Sequence, residues 1–274
     1  MNSASVETGT EQALYITRID GLKYYQDKFS RIYFGNEFCQ RLIPAASDIR
    51  LAIDFALNNN LSFTFITPFV TNEGLELLKP LIDLVAREKP GSEIVFNDWG
   101  ILQVLNRQGW DLQPVMGRLL NKMKRGPRLM NLLDILPDAA IEYYRGSNIS
   151  TGLYSKFLKQ NRVRRVELDN LLQGINLKLA DTEIVASLYL PYAYITVSRF
   201  CLAASCDVYG DEDRVGIFPC HRECQKYTFQ QENPVMGIPL LRKGNAIYFR
   251  NDKVPENMRE QHIDRIVFQP ELPA

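Results

Sequence analysis

Residues 31–68 read RIYFGNEFCQRLIPAASDIRLAIDFALNNNLSFTFITP, and the fold class turns on this stretch. RIYFG (Arg31–Gly35) and SFTFITP (Ser62–Pro68) are short runs rich in β-branched and aromatic residues, the composition of buried strands. Between them, DIRLAIDFALNNN (residues 48–60) repeats its apolar residues at three- and four-residue spacing, which gives a helix one buried face. Strand, helix and strand in this order form a βαβ unit, whose two strands lie parallel.

The alternation continues downstream. Further strand candidates are EIVFND (Glu93–Asp98), PVMGRLL (Pro114–Leu120), RRVELD (Arg164–Asp169) and SLYLPYAYITV (Ser187–Val197). EGLELLKPLIDLVAREK (residues 73–89) and TGLYSKFLKQN (residues 151–161) have helical spacing. A doubly wound sheet and a TIM-barrel-like (β/α) barrel both fit. The first of these strands is followed by GNEFC, with one glycine where a dinucleotide-binding turn needs several, which favours the barrel. The C-terminal part changes character: PLLRKGNAIYFRNDKV (residues 239–254) holds two strand-like runs about a KGN turn, and HIDRIVFQP (residues 262–270) adds another. No linker interrupts the chain. The expectation is one α/β domain over residues 1–274. Residues 1–30 would be a lead-in, and residues 198–274 a cysteine segment and β-rich tail covering one barrel mouth.

Composition narrows the function classes. The 274 residues carry 32 basic and 32 acidic side chains, so a general nucleic-acid binder is not expected. Two local basic runs, NKMKRGPRL (Asn121–Leu129) and RVRR (Arg162–Arg165), read as solvated surface. The N-terminus MNSASVETGTEQ lacks the basic and apolar regions of a signal peptide. The longest apolar run, Ile184–Val197, is too short to span a bilayer, so the cytoplasm is the expected location. With only His221 and His262, a multi-histidine metal site or a Ser–His–Asp triad has little material.

Polar groups gather where a barrel places its chemistry, at the C-terminal ends of the strands. Gly35, Asn36 and Glu37 follow the first strand candidate, Asn97 and Asp98 end the third, and Arg118 lies in the fourth. Glu167 and Asp169 end the fifth, while Ser198 and Arg199 follow the sixth. For Asn97, Asp98 and Gly100, turn and cap duty competes evenly with a functional role. A charge in an apolar strand needs a partner, and Glu167 is a candidate partner for Arg118. Asn97, Asp98, Arg118, Glu167 and Arg199 are the candidate cavity residues.

Four of the five cysteines, Cys201, Cys206, Cys220 and Cys224, fall in one short stretch, and Cys39 lies far upstream. Thiols crowded in a chain too large to need disulfide staples point to a metal. The spacing, one C-x3-C and two isolated cysteines, is a weak zinc signature and lacks a ferredoxin-type run. It leaves open which four would bind: the local set, or a set in which Cys39 replaces Cys206.

The strings IYFGNEFCQR, VFNDWGILQVL, MGRLLNKMKRGPRL and LYLPYAYITVSRFC, with the KGN…DRIVFQP tail, resemble the peptidase U32 family from about residue 30 to the C-terminus. They are most similar to its single-domain, UbiV-like branch. The resemblance implies a barrel carrying a 4Fe–4S cluster, with one cysteine ligand after the first strand and three late ones as C-x(n)-C-x3-C. Cys39, Cys201, Cys220 and Cys224 match those positions, and Cys206, without a counterpart, is the alternative ligand. The stretch between Cys201 and Cys220, with its acidic YGDEDR, is longer than that pattern. Zinc is the alternative metal. The resemblance further implies a component of an oxygen-independent hydroxylation system acting on a ubiquinone-precursor-like aromatic substrate, paired with a second U32-family protein as a heterodimer. A non-catalytic cluster-bearing partner subunit and a hydrolase or peptidase with a structural metal are the competing expectations. No HExxH motif supports the peptidase reading.

Overall fold

The computed structural model describes residues 9–179, 183–204, 206–207 and 218–273. The acidic YGDEDR stretch, residues 209–214, lies outside the described residues.

The first strand, β1 (Glu11–Ile16), lies within the expected lead-in. It is followed by β2 (Arg31–Gly35), α1 (Ala46–Asn58), β3 (Ser62–Ile66), α2 (Asn72–Glu88), β4 (Glu93–Phe96), α3 (Trp99–Gln108) and β5 (Gln113–Met116). Then come α4 (Asp138–Arg145), α5 (Gly152–Gln160), β6 (Arg165–Asp169), β7 (Val185–Leu190) and β8 (Tyr192–Val197). The chain ends in β9 (Phe229–Gln231), β10 (Leu240–Lys243), β11 (Ala246–Arg250) and β12 (Ile263–Phe268). Eight strands close a barrel in the order β1-β12-β7-β6-β5-β4-β3-β2, and each pairing within it is parallel. The other four form an antiparallel sheet, β8-β11-β10-β9. The expected TIM-barrel-like α/β fold is present.

Three details differ from the expectation. The run Ser187–Val197 is two strands, because Pro191 has no N–H to give the ladder; β7 stays in the barrel and β8 enters the second sheet. HIDRIVFQP does not cover the mouth. As β12 it closes the barrel between β7 and β1. The lead-in is likewise structural, since β1 joins the two ends of the barrel.

The helices bury the faces their spacing gives them. Ile49, Ala52, Ile53 and Ala56 of α1 and Leu78, Ile82 and Val85 of α2 pack on the outward faces of the strands, with Ile32, Phe34, Phe63 and Phe65. The inward faces are different. Tyr15, Tyr33, Val95, Val115, Tyr189 and Val267 fill the middle of the barrel. The N-terminal end holds an ionic layer, in which Arg265 donates to Glu93 at 2.7 and 3.0 Å and to Glu11 at 2.6 Å. Arg165, expected on the surface, is partly buried and donates to Ser187 in the same layer. Buried charge is tolerated there because each ion has its counter-ion.

Candidate functional site

Four thiols reach one cavity from three parts of the chain. Cys39 lies just beyond β2, Cys201 just beyond β8, and Cys220 and Cys224 before β9. With Arg41, Leu42, Arg199 and Gly244 they line a cavity of about 70 Å³. Cys224 is buried, and Cys39, Cys201 and Cys220 are half-buried. Cys206 is exposed and does not line this cavity. Burial, and then the neighbouring thiols, push Cys224 up to about 11, with Lys243 opposing. Burial likewise raises Cys39 and Cys201, against hydrogen bonds from nearby backbone N–H groups. A catalytic cysteine nucleophile shows the opposite, a lowered pKa beside a cation or base. Among the described residues, no group of three His, Cys, Asp or Glu side chains is placed to hold a single metal ion.

The KGN turn between β10 and β11 holds these segments together. Gly244 has φ of +60°, and a Cβ there would stand 3.1 Å from Cys224 Cβ, so glycine meets both the turn and the close approach of the cysteine loop. Asn245 Nδ2 donates to Phe38 O at 2.6 Å and to Ser198 O at 2.7 Å. One buried amide therefore ties the Cys39 loop to the Cys201 loop. Asn36 donates to Leu42 O at 3.2 Å and shapes the turn around Cys39. Replacing Asn245 with Ala leaves both carbonyls without this donor. The expected result is a stability loss of about 1–3 kcal/mol in denaturant unfolding, with less iron retained per chain after anaerobic purification.

The barrel mouth is closed. Arg118, fully buried, forms a two-pronged ion pair with Glu37, donates to Asp169 Oδ1 at 2.8 Å and to Tyr192 O at 3.1 Å, and lies 3.9 Å from the centre of the Tyr189 ring. Arg125 donates to Asp169 Oδ2 at 3.0 Å and to the carbonyls of Arg118 and Asn121. From the cover, the Tyr194 backbone N–H donates to Asp169 at 3.1 Å and its hydroxyl to Arg118 O at 3.0 Å. Burial opposes the Arg118 charge, but Glu37 and Asp169 outweigh it and raise its pKa. Burial pushes Glu37 up, with Arg118 and Asn97 pulling it back. Phe38, Tyr194, Ala246 and Tyr248 seal the β8–β11 sheet over this network.

The five candidate cavity residues do not share one cavity. Asn97 is buried, donates to Thr67 O at 2.9 Å and accepts from Leu119 N at 3.2 Å, tying strand ends together. A Cβ on Gly117 would fall 2.1 Å from Asn97 Oδ1, so glycine leaves this amide its room. Asp98 caps α3 by accepting from Gly100 N at 2.8 Å and also accepts from Val70 N at 3.2 Å. Arg199 lines the cysteine cavity, with its guanidinium 5.3 Å from the Phe69 ring centre. Arg118 pairs with Glu37 and Asp169 rather than with Glu167, which lies one inward position deeper on β6 and accepts from the Tyr33 hydroxyl at 3.1 Å. Arg125 and Asn121 belong to a run expected on the surface, yet both are buried.

Glu167 and Glu93 give stability opposite pH dependences. Burial, opposed by Arg265 and Arg165, pushes Glu167 up to about 8. The folded protein therefore keeps a proton that the unfolded chain releases in the ordinary carboxylate range. Its contribution is complete below that range and is lost as pH rises to about 8. Burial also raises Glu93, but Arg265 and Arg31 outweigh it and bring it down to about 2. Its contribution is present above the ordinary range and is lost as pH falls towards 2. Glu167→Gln is expected to flatten the fall in stability between about pH 5 and 8, as followed by denaturant midpoints, while leaving the acid-side loss in place.

The fold is similar to that of the U32 peptidase Mk0906, over 100% of this chain and 98% of that one, with a TM-score of 0.50 and 11% sequence identity. A class V chitinase mutant from Cycas revoluta, solved in complex with (GlcNAc)3, matches over 94% of each chain at 10% identity, but its TM-score of 0.40 is too low to carry weight. No protein-family model and no curated protein matches the chain. Among the described residues, no helix is long and apolar enough to cross a membrane. The likeness to the U32 peptidase, at this identity, is one of fold: a closed barrel of eight parallel strands with helices.

Proposed function

We propose that this chain is an iron–sulfur protein of the U32 type and a component of an oxygen-independent hydroxylation system acting on an aromatic, ubiquinone-precursor-like substrate. The observation that supports the cluster is that Cys39, Cys201, Cys220 and Cys224 line one cavity while Cys206 stands outside it. An all-thiol donor set suits an iron–sulfur cluster, and Gly244 leaves space beside Cys224 that a side chain would take. The four thiols would hold the 4Fe–4S group, which supplies one-electron chemistry when bound. Asn245 fixes the distance between two ligand loops, and Arg41 and Arg199 supply positive charge at the cavity wall. The hydroxylation role rests on the sequence resemblance. Zinc is the competing occupant, and it would require the thiols to draw together, since no three ligating side chains among the described residues are placed to hold one ion as they stand.

The sealed mouth favours a second reading, in which the chain is the cluster-bearing accessory of a homologous U32 protein. The place where barrel enzymes bind substrate is roofed here by the β8–β11 sheet, with the Arg118 ion network beneath it. Anaerobic incubation with a ubiquinone-precursor aromatic acid, water as the oxygen source and an added two-electron acceptor to take the electrons released separates the readings. Hydroxylated product from this chain alone supports the catalytic role, and product only when a homologous U32 protein is added supports the accessory role. No product from either mixture contradicts the hydroxylation assignment.

A further inference from the structure

Buried tyrosine hydroxyls in the barrel and its covering sheet fall into two groups. Tyr33 donates to Glu167 at 3.1 Å and Tyr194 to Arg118 O at 3.0 Å. Tyr15, Tyr189 and Tyr248 are fully or almost fully buried, and their hydroxyls have no hydrogen-bond partner among the described residues. The same holds for both polar atoms of the Gln269 side chain, which is 1% exposed. Buried tyrosine hydroxyls and amides normally find partners, because the lost hydration is otherwise uncompensated.

These groups are not scattered. Tyr15 and Tyr189 stand with ring centres 5.9 Å apart, and Arg118 lies over the Tyr189 ring. Tyr248 belongs to the cover, with its ring centre 5.4 Å from that of Phe38, over which Arg118 lies at 5.6 Å. The pairing of Leu14 with Phe268 brings the next residues, Tyr15 and Gln269, to neighbouring strand ends at the C-terminal mouth. Tyr15, Tyr189 and Gln269 thus stand towards the C-terminal mouth, with Tyr248 in the β8–β11 sheet above it, on the side of the barrel where ligands of this fold class bind. Between them they offer both donors and acceptors.

The local charge is already balanced, since Glu37 and Asp169 face Arg118 and Arg125. A charged ligand would find no free counter-ion, whereas a hydroxyl can both give and accept a hydrogen bond. We propose that the covered mouth is a binding chamber for a small uncharged, hydroxyl-bearing molecule, held by Tyr15, Tyr189, Tyr248 and Gln269. Water is the smallest such ligand and a small hydroxylated metabolite the other source. The assignment is independent of whether the cysteines carry a cluster.

The test is a high-resolution crystal structure of the full chain, with unfolding of Tyr15→Phe, Tyr189→Phe and Tyr248→Phe as a second measurement. The chamber predicts ordered density within hydrogen-bond reach of these hydroxyls. It also predicts a fall in melting temperature of about 2–4 °C for each phenylalanine variant, since each loses a satisfied hydrogen bond. Separate peaks assign the chamber to water. Connected density, matched by a small molecule released on denaturation and identified by mass spectrometry, assigns it to a metabolite. No density there, a charged molecule in its place, or phenylalanine variants as stable as the parent would overturn the proposal. An unsatisfied hydroxyl costs nothing to remove, so the unfolding result discriminates even if a single variant fails to fold.

Discussion

Arg118→Met is expected to lower stability by about 3–5 kcal/mol, read as a shift of the denaturant midpoint at unchanged slope. The substitution keeps much of the side-chain volume but leaves Glu37 and Asp169 fully buried without their shared cation. Arg125 still reaches Asp169, so Glu37 bears most of the loss. A domain is stable by only about 5–15 kcal/mol, so this one change removes a large share. Arg118→Lys is also expected to destabilise, because an ammonium cannot form the two-pronged pair with Glu37 while reaching Asp169 and the Tyr192 carbonyl. If Arg118→Met were as stable as the parent, the network would not be what closes the barrel mouth.

Cys39→Ser is expected to abolish the stable cluster, while Cys206→Ser leaves it intact. The two thiols differ in place: Cys39 lines the cavity beside Leu42 and Cys224, and Cys206 is exposed outside it. A hydroxyl at position 39 is a harder, less readily ionised donor than a thiolate and a poor ligand for iron–sulfur groups. Iron per chain and the visible absorption band, compared after identical anaerobic reconstitution, report the difference. Full iron in Cys39→Ser, or its loss in Cys206→Ser, would reverse the ligand assignment.

The barrel could be read because its strands, buried on both faces, are continuous β-branched and aromatic runs, and its helices carry clear apolar faces. β1 is not legible because EQALYI stands alone before a polar stretch, with no helical pattern beside it to mark a repeat. The division at Pro191 was legible in principle, since proline cannot take part in a central ladder. The role of HIDRIVFQP was not, because a strand closing a barrel and a strand covering it have the same local composition. At the site, the four late cysteines announce themselves by crowding, which does not set Cys206 apart from the other three. Spacing leaves Cys39 and Cys206 as alternatives, the resemblance matches Cys39, and it is Cys39 that lines the cavity with the other three. Arg125 shows the limit of local reading. KMKR looks like a solvated run, and nothing near it names Asp169, its partner on β6. Asn245 was visible only as part of a turn signal, although it joins two ligand loops.

The central claim is tested most directly by iron, sulfide and zinc content, with a visible spectrum, on protein purified without oxygen. The account predicts about four irons and four sulfides per chain, and a broad visible absorption that dithionite bleaches. Stoichiometric zinc, or no bound metal after anaerobic reconstitution, would contradict it.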